Sequence, residues 1–200
     1  MENLIIKDLH NPLNYVQYKN LVTTLAEQNK CTGEQIEEKI KATSINVQRI
    51  KRLDKQTEIV DDLKLKIKEI SEKQIWIILV ESWCGDAAQC LPVIAKIAEL
   101  NTNIDLKIIL RDENLSIMDQ FLTNGSRSIP KLLILEKDEI IDTWGPRPKG
   151  IQKMVLEYKQ TNPNASHDEF VNNLHLWYAR DKTLSLQNDF IELLTNKITQ

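Results

Sequence analysis

A cysteine stands where an apolar run gives way to a helical pattern, in Trp83-Cys84-Gly85-Asp86-Ala87-Ala88-Gln89-Cys90-Leu91-Pro92. At a helix N-terminus a thiol meets unpaired backbone N–H groups and the positive end of the helix dipole, both of which favour a thiolate over the usual thiol pKa of about 8.5. Nucleophilic sulfur chemistry suits that placement. Asp86 acts in the opposite sense, because its carboxylate sets a second negative charge close to the sulfur. The net direction depends on burial, which residue types alone do not give.

The other two thiols are poorer candidates. Cys90 lies six residues along the same helical pattern, about 9 Å of rise and about 120° of rotation from Cys84, whereas a disulfide needs Cα atoms within roughly 7 Å. It reads as a buried, inert cysteine, as free cysteines most often are. Cys31 sits in Cys31-Thr32-Gly33-Glu34, a polar stretch that reads as an exposed loop with no activating neighbour. Arg111, at the end of an apolar run, and Arg127 are candidate partners for the Asp86 carboxylate or a substrate anion, although surface arginines are most often simply solvated. The three histidines, His10, His167 and His175, do not cluster with the cysteines in any metal-ligand spacing, and five glycines form no phosphate loop. Trp177, His175 and Tyr178 fall together near the C-terminus, where aromatics at helical spacing read as core.

The elements that must carry these residues follow from periodicity. Tyr18, Leu21, Val22 and Leu25 share one helical face, as do Val60, Leu63, Ile67 and Ile70. Between them Thr32 is placed to cap a new helix, and residues 35–53 carry many charges on a solvated face. The continuous run Ile75-Trp76-Ile77-Ile78-Leu79-Val80 predicts a central strand buried on both faces. A helix through Leu91, Ile94, Ile97 and Ala98 and a second strand over 104–110 complete a parallel pair with a right-handed crossover. A helix over 116–122 is expected to stop at Asn124-Gly125, before strands at 131–136 and 139–144 joined by a Lys137-Asp138 hairpin turn. From Pro148 helices return, with Phe170, Leu174 and Trp177 on one face and Phe190, Leu193 and Leu194 on another.

Composition sets the outer bounds. The chain has 200 residues, 26 Lys and Arg against 29 Asp and Glu, and a net charge of −3, a balance that argues against nucleic acid or an anionic membrane as partner. The first residues lack a basic start and an apolar signal core, and no run approaches the roughly 18 apolar residues of a membrane span, so a cytoplasmic protein is expected. Three cysteines are too few and too odd for a secreted disulfide scaffold and read as reduced thiols.

Around the thiol the sequence resembles the thioredoxin family, whose Trp-Cys-Gly-Pro-Cys turn is matched at Trp83, Cys84 and Gly85. The likeness is to divergent bacterial members with Trp-Cys-Gly-Asp in this turn. Pro92 matches the proline that kinks the family's helix, and Arg127-Ser128-Ile129-Pro130 resembles its cis-proline segment. Leu132 to Leu135 and Trp144-Gly145 follow in family order, so the resemblance runs over about residues 73–160. It implies an α/β thioredoxin-like fold over 73–160, with a helical N-terminal extension at 1–72 and a helical C-terminal extension at 161–200. It further implies Cys84 as the catalytic thiol, a cis Ile129-Pro130 bond, and substrate contacts from Trp83, Gly85, Asp86, Ile129 and Pro130.

Two departures shape the expected activity: Ala87 takes the place of the family's resolving cysteine, and Ile78 that of its buried acid. The expectation is monothiol thiol–disulfide exchange, with a protein or low-molecular-weight disulfide as partner and no cofactor or metal. A non-catalytic binding module on the same fold is the alternative. The oligomeric state is not legible.

Overall fold

A computed structural model describes residues 9–195. Its centre is strand β1 (Gln74–Val80), in which residues from Trp76 to Val80 have no exposed surface. Five consecutive apolar residues, most of them β-branched, suit a pleated strand covered on both faces. β1 pairs in parallel with β2 (Ile104–Leu110) and antiparallel with β3 (Lys131–Glu136), and β3 pairs antiparallel with β4 (Glu139–Trp144), giving the order β2-β1-β3-β4. The outer edge of β2 is partly closed by Leu13, whose N–H and C=O both bond Ile108 at 2.8 Å. In the hairpin between β3 and β4, Lys137 and Asp138 take φ of 50° and 63°, the paired left-handed conformation that matches strand twist.

Helices enclose the sheet. In chain order they are α1 (Tyr15–Glu27), α2 (Glu37–Gln56), α3 (Asp61–Lys68), α4 (Gly85–Ala98), α5 (Leu115–Met118), α6 (Lys149–Thr161), α7 (His167–Asp181) and α8 (Leu184–Thr195). Asn14 and Gln17 form a capping box on α1, and Ser166 caps α7. α4 is apolar almost all round and packs on α2 and β2, while α3 packs on α8. Phe190 of α8 lies against Trp76 and Trp144, with ring centroids at 5.5 and 6.0 Å, so the C-terminal helices share the core of the sheet.

The N-terminal helices are tied in by polar contacts. Thr32 N–H donates to Ser82 Oγ at 2.9 Å, and Ser82 N–H donates back to Thr32 Oγ1 at 3.0 Å. The Thr32 hydroxyl also donates to the Glu81 carboxylate; from α2, Asn46 donates to the Ser82 carbonyl at 2.8 Å, and Thr43 Oγ1 lies 2.9 Å from Ser82 Oγ. Burial makes these bonds stringent, since a buried donor or acceptor left unpaired carries its full desolvation penalty. Thr32→Val is therefore expected to destabilise the fold by roughly 1–3 kcal/mol, read as a lowered denaturation midpoint with unchanged denaturant dependence.

Several local expectations are corrected. Thr32 does not cap α2, which begins at Glu37 behind Ile36; its hydroxyl is used by Glu81 and Ser82 instead. Cys31 is buried, its Sγ 3.2 Å from the Glu34 carbonyl, because this loop is pressed onto the end of β1. The helix expected at 116–122 is only Leu115–Met118. Asn124 and Gly125, at φ of 51° and 74°, form a tight turn closed by a bridge between Thr123 and Ser126 instead of ending a helix.

Candidate active site

Cys84 is the N-cap of α4. Its Sγ accepts the Ala87 N–H at 3.4 Å and donates to the Ile129 carbonyl at 3.4 Å. The Ile129-Pro130 peptide is cis, and the chain beside it is crowded: Gly145, at φ +117°, is packed so closely that a side chain there would collide with the Pro130 carbonyl. Ile129 and Pro130 are buried against the turn, and Trp83 is half-buried beside it. Lys39 and Arg111 lie over the Trp83 ring at 5.0 and 5.1 Å. The structure thus gathers Trp83, Cys84, Gly85, Asp86, Ile129 and Pro130 into one place.

The electrostatics are those of a closed site. Burial pushes the Cys84 thiol up to about 12, and the Asp86 carboxylate adds to the rise; the Ala87 and Asp86 N–H groups and Arg147 pull the other way. The helix terminus is present, but desolvation outweighs it. Asp86 has only 7% of its surface exposed. It accepts from Arg147 Nη2 at 2.6 Å and from the Tyr178 hydroxyl at 2.8 Å. Burial pushes its carboxyl upward against the pull of those two donors, and the same contact holds Arg147 charged.

The partners of Asp86 differ from the two candidates named from sequence. Arg111 binds Asp112 at 2.7 Å, and Arg127 binds Asp119 at 2.6 Å. Arg147 takes the carboxylate instead, brought in by the turn between β4 and α6. α7 forms part of the site wall: His175 packs so that a side chain at Gly85 would stand 2.9 Å from its Cε1, and its Nδ1 lies 3.3 Å from Gln89 Nε2. Burial, then the nearby Arg49 and Arg52, push His175 down to about 4. Nothing in the spacing of His175 and Tyr178 separates these contacts from ordinary core packing.

Cys90 is fully buried, with Sγ 3.8 Å from the Tyr178 hydroxyl. Native protein is expected to leave Cys90 unalkylated over hours while the denatured chain reacts fully; rapid native labelling at this residue contradicts the packing. Ala87 and Ile78 are also fully buried, so the first turn of α4 offers no second sulfur and the middle of β1 no carboxyl group.

Glu81 is a second buried acid near the thiol in sequence, with no exposed surface. Its Oε1 accepts the Asp112 N–H at 2.8 Å, and its pKa is raised by burial despite that bond and the one from Thr32. A carboxyl group whose folded pKa lies above its unfolded value holds its proton more tightly in the folded state, so ionising it costs stability as pH rises. Glu81→Gln is expected to stabilise the protein near pH 7 relative to wild type, with the difference vanishing as pH falls below the ordinary glutamate range near 4. Thermal midpoints across pH 3–8 test this; an advantage that persists at pH 3 contradicts the assignment.

A mixed four-stranded sheet, with a helix-capping cysteine facing a cis-proline loop, defines a thioredoxin-fold protein. The chain belongs to the thioredoxin family, whose model, described as Thioredoxin, matches residues 33–163. That match begins before β1 and takes in α2 and α3. A thioredoxin of Chlorobaculum thiosulfatiphilum is 33% identical over 109 residues, covering 52% of this chain and 87% of that protein. A crystal structure of a protein of unknown function from Pseudomonas aeruginosa superposes with a TM-score of 0.59 at 15% identity, covering 92% of this chain and 99% of that one. An HIV epitope-scaffold gives 0.54 at 16% identity with the same coverage. These two likenesses concern fold alone, and they extend over the helical flanks as well as the sheet. No described helix is long and apolar enough to cross a membrane, and no cluster of His, Cys, Asp or Glu among the described residues is arranged to hold a metal ion.

Proposed function

We propose that the protein carries out thiol–disulfide exchange by a monothiol route through Cys84. The observation that carries this reading is the seat of the sulfur at the N-cap of α4, receiving the Ala87 N–H at 3.4 Å beside the cis-proline loop, with alanine where a resolving thiol belongs. Cys84 thiolate attacks one sulfur of a disulfide; the Cys84–substrate disulfide forms, the substrate's S–S bond breaks, and the departing thiolate takes up the proton that Cys84 released. A second thiol from solution then displaces the substrate and restores Cys84. Trp83, Ile129 and Pro130 supply the apolar edge on which the substrate rests.

With burial pushing the thiol up to about 12, little thiolate is present near pH 7, so exchange there is slow. That same observation favours a second reading, a binding module that keeps the fold and leaves the thiol unreactive. Treatment with 2-hydroxyethyl disulfide at graded pH, followed by mass spectrometry, separates the two. Exchange predicts a mixed disulfide confined to Cys84 and absent in Cys84→Ser, forming about tenfold faster per pH unit from 7 to 10 without levelling off. Folded protein that forms no adduct on Cys84 at any of these pH values leaves the binding module as the function.

A further inference from the structure

Helix α7 lies on the active-site turn, yet little of it is anchored there. The His175 ring fills the space beside Gly85, so that a side chain on that glycine would begin 2.9 Å from Cε1, and His175 Nδ1 lies 3.3 Å from Gln89 Nε2. Three residues on, the Tyr178 hydroxyl donates to Asp86 Oδ1 at 2.8 Å. Gly85 and Asp86 directly follow Cys84 in the chain. Of the fifteen residues of α7 only Leu174 and Tyr178 are buried, against twelve of the fourteen in α4. A cleft of about 430 Å³, walled by Arg52, Gln56, Tyr178, Ala179 and Lys182, separates the end of α2 from the α7–α8 turn. α7 also rests on α6, where Phe170 meets Tyr158 at 5.9 Å and Asn173 donates to the Tyr158 hydroxyl at 3.3 Å. A helix with few buried apolar residues and a largely solvated surface belongs to the low-stability end of local opening.

The connections of α7 to its neighbours differ from one another. Towards α8, Lys182 and Thr183 stand consecutively at φ of 50° and 70°, the left-handed region that is costly for residues with a side chain and most of all for a β-branched one. Thr183 belongs to α8, since its hydroxyl accepts from Gln187 Nε2 at 2.9 Å and its carbonyl from the Gln187 N–H at 3.2 Å. The strained pair thus joins a fixed α8 to a lightly held α7. Towards α6, Asn162, Pro163 and Asn164 are exposed. Attack on a disulfide requires access to the attacking sulfur, and Cys84 has only 8% of its surface exposed.

We propose that α7 is a lid on the active-site turn, hinged at Lys182 and Thr183, and that Cys84 meets its substrate in a minor state in which α7 has lifted off Gly85 and Asp86. The inference rests on the monothiol reading and supplies its regulation. Lifting takes His175 from Gly85 and Tyr178 from Asp86, and it frees Lys182 to leave the left-handed region. The strain at the hinge therefore offsets part of what the docked contacts contribute, which keeps the open state within reach.

The test reads one opening in two ways: hydrogen exchange of the α7 amides, and alkylation of Cys84 by iodoacetamide at pH 8, both followed by mass spectrometry. In wild type the α7 amides are expected to be at least about a hundredfold less protected than those of β1, which report unfolding of the sheet. His175→Ala, which removes a contact on the turn, is expected to speed both readouts by about tenfold. Lys182→Gly, which relaxes the left-handed residue and leaves the turn untouched, is expected to slow both by about fivefold. One equilibrium governs the two readouts, so in each variant they change by the same factor. The proposal is overturned by α7 amides as protected as those of β1, by Cys84 alkylation that stays constant while α7 exchange slows in Lys182→Gly, or by a Cys84 that resists iodoacetamide while α7 exchanges freely. Iodoacetamide needs no disulfide chemistry, which keeps the two readings apart. Matched factors sustain the lid even where 2-hydroxyethyl disulfide forms no adduct, and adduct formation that does not follow α7 overturns the lid even where exchange occurs.

Discussion

Asp86→Asn is expected to speed alkylation of Cys84 near pH 7 by roughly ten- to a hundredfold, because removing a neighbouring anion lowers the thiol pKa. Two effects hold the thiol protonated, burial first and the Asp86 charge second. Asparagine keeps the size of the side chain and its place in the first turn of α4, so burial changes little. It removes the anion and leaves the Arg147 guanidinium, until then paired at 2.6 Å, as an unneutralised cation near the sulfur. Both changes favour the thiolate. The price is stability, because Arg147 loses its carboxylate and the Tyr178 hydroxyl its ionised acceptor; a loss of roughly 1–3 kcal/mol is expected. Iodoacetamide rates from pH 6 to 10, with a denaturation curve beside them, read both effects. An unchanged rate profile in a folded variant shows that burial alone sets the acidity of this thiol.

Ala87→Cys is expected to turn a protein that reduces insulin disulfides at background rates into one that does so measurably, with a gain of at least about tenfold. Residues three apart in a helix have Cα atoms about 5 Å apart, inside the window for a disulfide. The Ala87 N–H already lies 3.4 Å from Cys84 Sγ, so this part of the chain is close to the sulfur it must meet. Mild oxidation is expected to remove two hydrogen atoms from the variant, two protons and two electrons taken up by the added oxidant, and none from wild type, by mass spectrometry. The gain stays well short of a dithiol enzyme's rate. Residue 87 is fully buried, Ile78 provides no carboxyl group to accept its proton, and Asp86 is held by Arg147 and Tyr178. A folded variant that forms no internal disulfide contradicts the geometry of this turn; wild-type turnover equal to that of a dithiol reductase contradicts the monothiol route.

The four strands were legible because each is an apolar run whose period or continuity leaves little choice; 104–110, 131–136 and 139–144 coincide with β2, β3 and β4. β1 gains only Gln74, which pairs with both Ile104 and Glu136. The gathering of Trp83, Cys84, Gly85, Asp86, Ile129 and Pro130 was legible through family resemblance. The electrostatic setting was not. Arg147, His175 and Tyr178 reach the turn from far along the chain, and an arginine in a loop or a tyrosine on an amphipathic helix reads the same whether it serves a site or a surface. The acidity of Cys84 escaped for a related reason: burial is its first cause, and the packing that buries the turn leaves no local pattern. Thr32 likewise looked like a helix cap, because a threonine before a charged helix has that local preference and only the approach of Ser82 overrides it.

The route by which α7 reaches the turn also orders events on the ribosome. Cys84 emerges about ninety residues ahead of Tyr178 and His175, so for several seconds of synthesis the nascent chain carries this turn without the helix that later packs against its Gly85 and Asp86. In that interval the packing whose burial raises the thiol's pKa in the finished molecule is incomplete. The surroundings of the thiol are thus complete only when the last helices arrive.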